Sequence, residues 1–214
     1  MGMVVYGAVL FGMAGTAAWP AAWAYLLTIA AVLIAYLAIV TRRHPDLLEE
    51  RHKPPADAKR WDRLFVAVIA GLGPAALIVV SGLDRRLGWS PPTSTGVTAG
   101  GVLLVAAGGT LTNYAVAVNR FFSALVRIQH DRGHQVVDAG PYRVVRHPGY
   151  VGSVLATFGA ALALGSRWGL LVAGLVTLVI VVRTSLEDRT LRAELEGYAE
   201  YAGRVRFRLV PGVW

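Results

Sequence analysis

Four long runs without a charged residue decide what this chain can fold into: 21–40, 64–83, 97–118 and 149–166. Each is about long enough for a helix to cross a ~30 Å hydrocarbon layer, which takes ~20 residues at 1.5 Å per residue. Two shorter runs, 4–18 and 168–182, would span only with tilt, local thinning or burial against neighbours. No backbone polar group can go unpaired in lipid, so these runs must be helices. The expected fold is all-α: a polytopic membrane protein with five to six transmembrane helices. Only 16% of the 214 residues are charged and 55% are hydrophobic, too greasy a balance for a soluble domain of this length.

The charged residues fall between the runs. With loops assigned alternately to the two sides, Arg85, Arg86 and Arg167 lie on one side and all the other Lys and Arg, out of 21, on the other. That bias predicts a multi-pass protein of the plasma (inner) membrane, with residues 42–63, residues 119–147 and both termini cytoplasmic. It also assigns the net charge of +8 to topology, so no nucleic-acid partner is expected. The first residues lack a basic segment, so no cleavable signal peptide is expected. Without cysteine there is no disulfide and no thiolate nucleophile or ligand.

Trp19-Pro20 should separate two helices, since proline is tolerated at a helix start and not in its interior. The first long loop reads as a solvated connector with a stiff turn at Pro54-Pro55. Gly100, Gly101, Gly108 and Gly109 should let neighbouring helices approach closely. From Asn119 to Pro148 the chain is polar, aromatic and basic, and too long for a plain connector. Beyond the last run, Leu191, Leu195, Tyr198 and Ala202 recur at helical spacing. They predict an amphipathic helix, at the membrane face or folded over the polar loop. The half-apolar tail 204–209 should be extended. The expected division is a transmembrane scaffold, 1–118, and a catalytic half, 119–214.

Soluble-enzyme motifs are missing, and Gly71-Leu-Gly73 lies inside an apolar run without the third glycine of a dinucleotide fingerprint. His130 and His134, with His147, have the residue type for a metal, but Gly133 between the first two argues against the helix they would need, and no metal is expected. Arg183 and Glu187 are one helical turn apart. As a plain interfacial feature the arginine snorkels and the glutamate pairs with it. As a site, the arginine binds an anion and the carboxylate faces a cation. "GPYRVVRHPGYVG" at 140–152 admits a similar choice: Tyr142, Tyr150, Arg143 and Arg146 would suit a headgroup belt, which leaves His147 unexplained.

Three blocks in order, "VRIQHDRGHQVVDAGPYRVVRHPGYVG", "RTSLEDRTL" and "GYAEYAGRVRFRLVPGVW", resemble the integral-membrane methyltransferases related to isoprenylcysteine carboxyl methyltransferase and phospholipid methyltransferases. The resemblance implies S-adenosylmethionine bound between the last two membrane helices and a cytoplasmic C-terminal helix that closes the pocket. Position by position it puts cofactor contacts on Gln129, His134, Val136, Val137, Tyr142, His147, Pro148, Gly149, Tyr150 and Glu187, and the acceptor on Arg183. Arg183 and Glu187 would be the catalytic pair. The spacing from Gln129 to His134 is shorter than in the eukaryotic carboxyl methyltransferases. The implied partner is a lipidic or membrane-dissolved methyl acceptor, methylated at oxygen (carboxylate or hydroxyl). The alternatives are a phospholipid amine N-methyltransferase and a sterol-reductase-type membrane reductase using NADPH. Glu187-Asp188 suits a cationic donor better than that dinucleotide.

Overall fold

A computed structural model describes residues 2–47 and 58–214. Among them the regular structure is helical, with no strand. The helices are α1 (Gly2–Ala14), α2 (Pro20–Arg43), α3 (Asp62–Leu87), α4 (Thr95–Val118), α5 (Pro148–Ala163), α6 (Arg167–Glu194) and α7 (Tyr198–Arg204). Four of them, α2, α3, α4 and α6, are long and apolar enough to cross a membrane. At 1.5 Å per residue, the two remaining apolar helices are shorter, α1 reaching about 20 Å and α5 about 24 Å.

Local chemistry sets the boundaries. Pro20 opens α2, as expected. Helix α5 stops at Ala163, before the end of its apolar run, because Gly165 turns with φ 65° and Ser166 caps α6 by accepting from the Gly169 amide at 2.8 Å. The Pro54-Pro55 turn lies outside the described residues.

Helices α4 and α5 meet along a seam of glycines. A methyl group on Gly108 would collide with the carbonyl of Gly152, and one on Gly152 with the carbonyl of Gly108. Backbone therefore packs on backbone. Of the four glycines expected to permit close approach, Gly101, Gly108 and Gly109 do so, the last against Val32, whereas Gly100 faces open space. Asn113 locks α4 to α2 by donating to the Val32 carbonyl at 3.0 Å.

Helix α3 is irregular. Residues Ala67–Leu72 form a π-helical segment, which the apolar pattern did not signal. Gly73 follows it, and a side chain there would strike Val176 of α6.

The C-terminal periodicity belongs to two helices rather than one. Helix α6 runs on to Glu194, the chain breaks with Gly197 at φ 77°, and α7 follows. Leu195, Tyr198, Tyr201 and Ala202 pack with Ile128 and Tyr142, joined by Val136, Val137 and Leu191, so this segment folds over the polar loop. The tail is bent rather than extended throughout, Arg204 closing α7, and it is tied to the loop by Arg146 N donating to Phe207 O at 2.9 Å and His147 N to Arg208 O at 3.0 Å.

Candidate active site

At the end of the bundle where α2, α4 and α6 finish and α3 and α5 begin, a cavity of about 270 Å³ opens. Its walls come from the start of α3, the 119–147 loop, the first turns of α5, the last turns of α6 and α7. Two buried ion pairs frame it.

The first is Arg183 with Asp62. Nε donates to Oδ1 at 2.7 Å and Nη2 to Oδ2 at 2.8 Å, a fork on a carboxylate with no exposed surface. Asp62 also accepts from the Val126 amide at 2.7 Å, and Arg183 Nη2 donates to the Ala124 carbonyl at 2.7 Å. The guanidinium carbon sits 5.3 Å from the centre of the Tyr150 ring. Arg183 is thus neither snorkelling nor paired with Glu187. The sequence hid its partner, which lies 121 residues away in a loop that reads as a solvated connector.

The second pair is Arg146 with Asp188, at 2.7 and 2.9 Å. Asp188 is fully buried and also accepts from Tyr198 Oη at 3.0 Å, Arg208 Nε at 3.0 Å and Arg192 Nε at 3.2 Å. Arg146 uses its third nitrogen on the carbonyls of Val205 and Arg206. This knot ties the loop, α6 and the tail together. It removes Arg146 from the headgroup belt and removes Asp188 from any role as counter-charge to a bound cation.

Glu187 remains available. It lines the cavity and accepts from Tyr150 Oη at 2.5 Å, with no arginine on it. His147 stacks on Tyr150, ring centres 5.8 Å apart. Its Nε2 is buried without a hydrogen-bond partner among the described residues and lies 3.5 Å from Asp188 Oδ1. A buried ring nitrogen without a short hydrogen bond, on a residue of the cavity wall, is a place where a ligand atom is expected.

Along the loop, His134 lies against Phe121, and its Nδ1 accepts from the Gln129 amide at 3.3 Å, which leaves the proton on Nε2. Burial first, then the positive charges of Arg127, Arg132 and His130, pull its pKa down to about 4, so at neutral pH it is an uncharged donor. Tyr142 is pushed well up by burial, stays protonated, and accepts at its oxygen from Asn119 Nδ2 at 3.2 Å.

Nine of the expected site residues line this one cavity: His134, Val136, Val137, Tyr142, His147, Gly149, Tyr150, Arg183 and Glu187. Gly149 leaves room for the Phe122 ring, which a methyl group would strike at 2.7 Å. Gln129 and Pro148 do not reach the wall. Gln129 has no exposed surface, donates to the Phe121 carbonyl at 2.7 Å and accepts from Arg132, so it holds the loop that carries His134. Pro148 is buried as the first residue of α5. Val66, Ile69, Ala70, Thr112 and Ser153 extend the cavity into the apolar bundle, and sequence reasoning missed them. Among the described residues no three His, Cys, Asp or Glu side chains gather as a metal site.

No curated protein matches the chain. Residues 97–196, which run from α4 to the break before α7, match the model of the phospholipid methyltransferase family. Over those residues, just under half of the chain, it is similar to the phospholipid methyltransferase family, within the group of membrane methyltransferases that the sequence resembles, a likeness that points to a membrane methyltransferase.

Proposed function

We propose that the cavity binds S-adenosylmethionine and that the protein passes its methyl group to a membrane-resident small molecule or lipid, at oxygen. The carrying observation is the pairing, on one wall, of a carboxylate with no arginine hydrogen-bonded to it among the described residues and a buried imidazole nitrogen whose charged neighbour, Asp188, is 3.5 Å away: Glu187 beside Tyr150, and His147 Nε2. The cofactor supplies a methyl group on a cationic sulfur. Glu187 and the Tyr150 ring suit that positive charge, a ring contact being worth ~0.5–2 kcal/mol. His134 Nε2 and His147 Nε2 offer donors to its polar ends, and Val136, Val137 and Phe122 offer apolar surface to its base. Methyl transfer is a displacement, so the residues contribute mainly alignment and exclusion of water.

The apolar extension past Val66, Ile69 and Ala70 supports an acceptor that arrives from the bilayer, while the loop and α7 close the watery side. In this reading residues 1–118 form the scaffold and lend part of the acceptor wall, and residues 119–214 carry the chemistry. The remaining apolar helices, α1 and α5, complete five to six passes by packing inside the bundle. The cavity end, which gathers most of the arginines, faces the cytoplasm across the plasma (inner) membrane. The family match does not favour the reductase alternative, and two of the arginines on the cavity wall, Arg146 and Arg183, are each already held by a carboxylate.

The test is calorimetry of the purified protein with S-adenosylmethionine and with NADPH. Binding of the first alone is expected, and His147→Ala should weaken it by ~1–3 kcal/mol, the loss of one buried polar partner. Binding of NADPH alone would overturn the proposal.

A further inference from the structure

The neutralised guanidinium constrains which acceptor can react. Arg183 and Asp62 form a buried pair of zero net charge; Asp188 answers the buried Arg146, and the two other arginines that reach it, Arg192 and Arg208, are partly in solvent. Glu187 offsets the net positive charge of the donor proposed above. An acceptor that brings its own charge would leave it unbalanced in a largely dehydrated site, at the steep cost of burying an unpaired ion. Arg183 nevertheless keeps one donor group: Nη1 has no hydrogen-bond partner among the described residues, and the residue lines the cavity. Beside it stands Tyr150, whose ring the guanidinium covers at 5.3 Å and whose hydroxyl already donates to Glu187 at 2.5 Å. A hydrogen-bond donor and a proton path therefore converge next to one another.

We infer that Asp62 is a positioning residue that converts Arg183 into an uncharged-pair hydrogen-bond donor, and that the site takes an uncharged acceptor with an acidic hydroxyl, a lipidic phenol or enol. This rests on the methyltransferase reading above. Arg183 Nη1 holds the acceptor oxygen. As that oxygen bonds to the methyl carbon, the carbon–sulfur bond breaks and leaves its electron pair on sulfur. The hydroxyl proton passes to Tyr150 Oη while the proton of Tyr150 moves to Glu187. Charge balances throughout, because the carboxylate loses its charge in the step that removes the positive charge from sulfur. A phenol or enol gives up its proton far more readily than an aliphatic alcohol does, so the transfer toward Tyr150 Oη and Glu187 favours the former. Asp62 lies outside the residues that match the family model.

The experiment uses the full chain in nanodiscs, with S-adenosylmethionine and three acceptors of equal chain length: an alkylphenol, a fatty acid and an alkylamine. Wild type should methylate the phenol with kcat/KM at least tenfold above either charged analogue. Asp62→Asn, which leaves Arg183 with unbalanced charge, should shift the fatty-acid-to-phenol ratio at least tenfold toward the acid, through KM. Equilibrium binding in the presence of S-adenosylhomocysteine should show the same reversal without turnover. If Asp62→Asn does not fold, Asp62→Glu, which keeps the charge, should preserve the preference for phenol, and the wild-type ranking decides by itself. Wild-type preference for the acid or the amine with donor binding intact overturns the inference and leaves the methyltransferase reading standing. Loss of donor binding in wild type removes both.

Discussion

The two ends of the bundle each bury a carboxylate and treat it differently. At the cavity end, Asp188 and Asp62 are clasped by arginines brought from distant segments. At the other end, Asp84, 2% exposed, accepts only from neutral donors: the Ser90 amide at 2.7 Å, Ser90 Oγ at 2.7 Å and Ser166 Oγ at 2.5 Å. Asp84 closes a short turn between α3 and α4 and ties it to the start of α6 through serines of those two segments. Arginine clasps span greater distances and hold the loop, α6 and the tail around an opening. The charged end is therefore the part of the fold built to enclose something.

The sharpest way to break that contrast is to neutralise each carboxylate in turn. Asp188→Asn leaves Arg146 buried without a counter-ion and should cost ~3–5 kcal/mol. Asp84→Asn keeps one acceptor oxygen and should cost ~1–3 kcal/mol. Thermal unfolding in detergent reads both. Donor affinity should fall only in the first, and equal losses in both assays would erase the distinction between the ends.

Acidity gives the next effect. Unfolded His134 takes up a proton near pH 6.5, whereas the folded residue does so only near pH 4. Between those values the unfolded chain binds the extra proton, so stability should fall as pH drops from about 6.5 to about 4 and level off below. His134→Gln should flatten that part of the profile. A slope unchanged by the substitution would mean other groups set it.

The smallest effect belongs to Arg204 and Asp138, which meet at 2.9 Å but are 69% and 55% exposed. Arg204→Ala should change stability by no more than ~0–1 kcal/mol, and the change should vanish in high salt. A larger loss would show that exposed pairs also hold the cavity end together.

How much of this was legible depended on range. Apolar runs name their helices because each run's burial is a local property, and Pro20 marks a boundary for the same reason. The residues at 134–150 and 183–187 that share one cavity could be picked out because the resemblance pointed to them and short spacing kept them together. Asp62 could not. In sequence it is one acid among several in a charged loop, and only the fold brings it to Arg183. Asp188 invited the opposite error, since its adjacency to Glu187 suggested a shared role. On a helix neighbouring residues point about 100° apart, and Asp188 faces the Arg146 knot while Glu187 lines the cavity. The π-helical segment of α3 left no trace in hydropathy, because it changes the register of apolar residues and not their number.

The glycine seam between α4 and α5 has a mechanical consequence. With backbone packed on backbone at Gly101, Gly108, Gly152 and Gly159 and Thr112 donating across the seam to the Gly149 carbonyl, the two helices have little room to shear and behave as a single stiff plate. That plate carries Thr112, Gly149, Tyr150 and Ser153. Facing it across the cavity is α3, whose π-helical turn interrupts the regular ladder of hydrogen bonds beside Val66, Ile69 and Ala70. Compliance is therefore asymmetric. If the proposed acceptor enters from the bilayer, α3 is the wall that yields to it and the α4–α5 pair the wall that stays fixed.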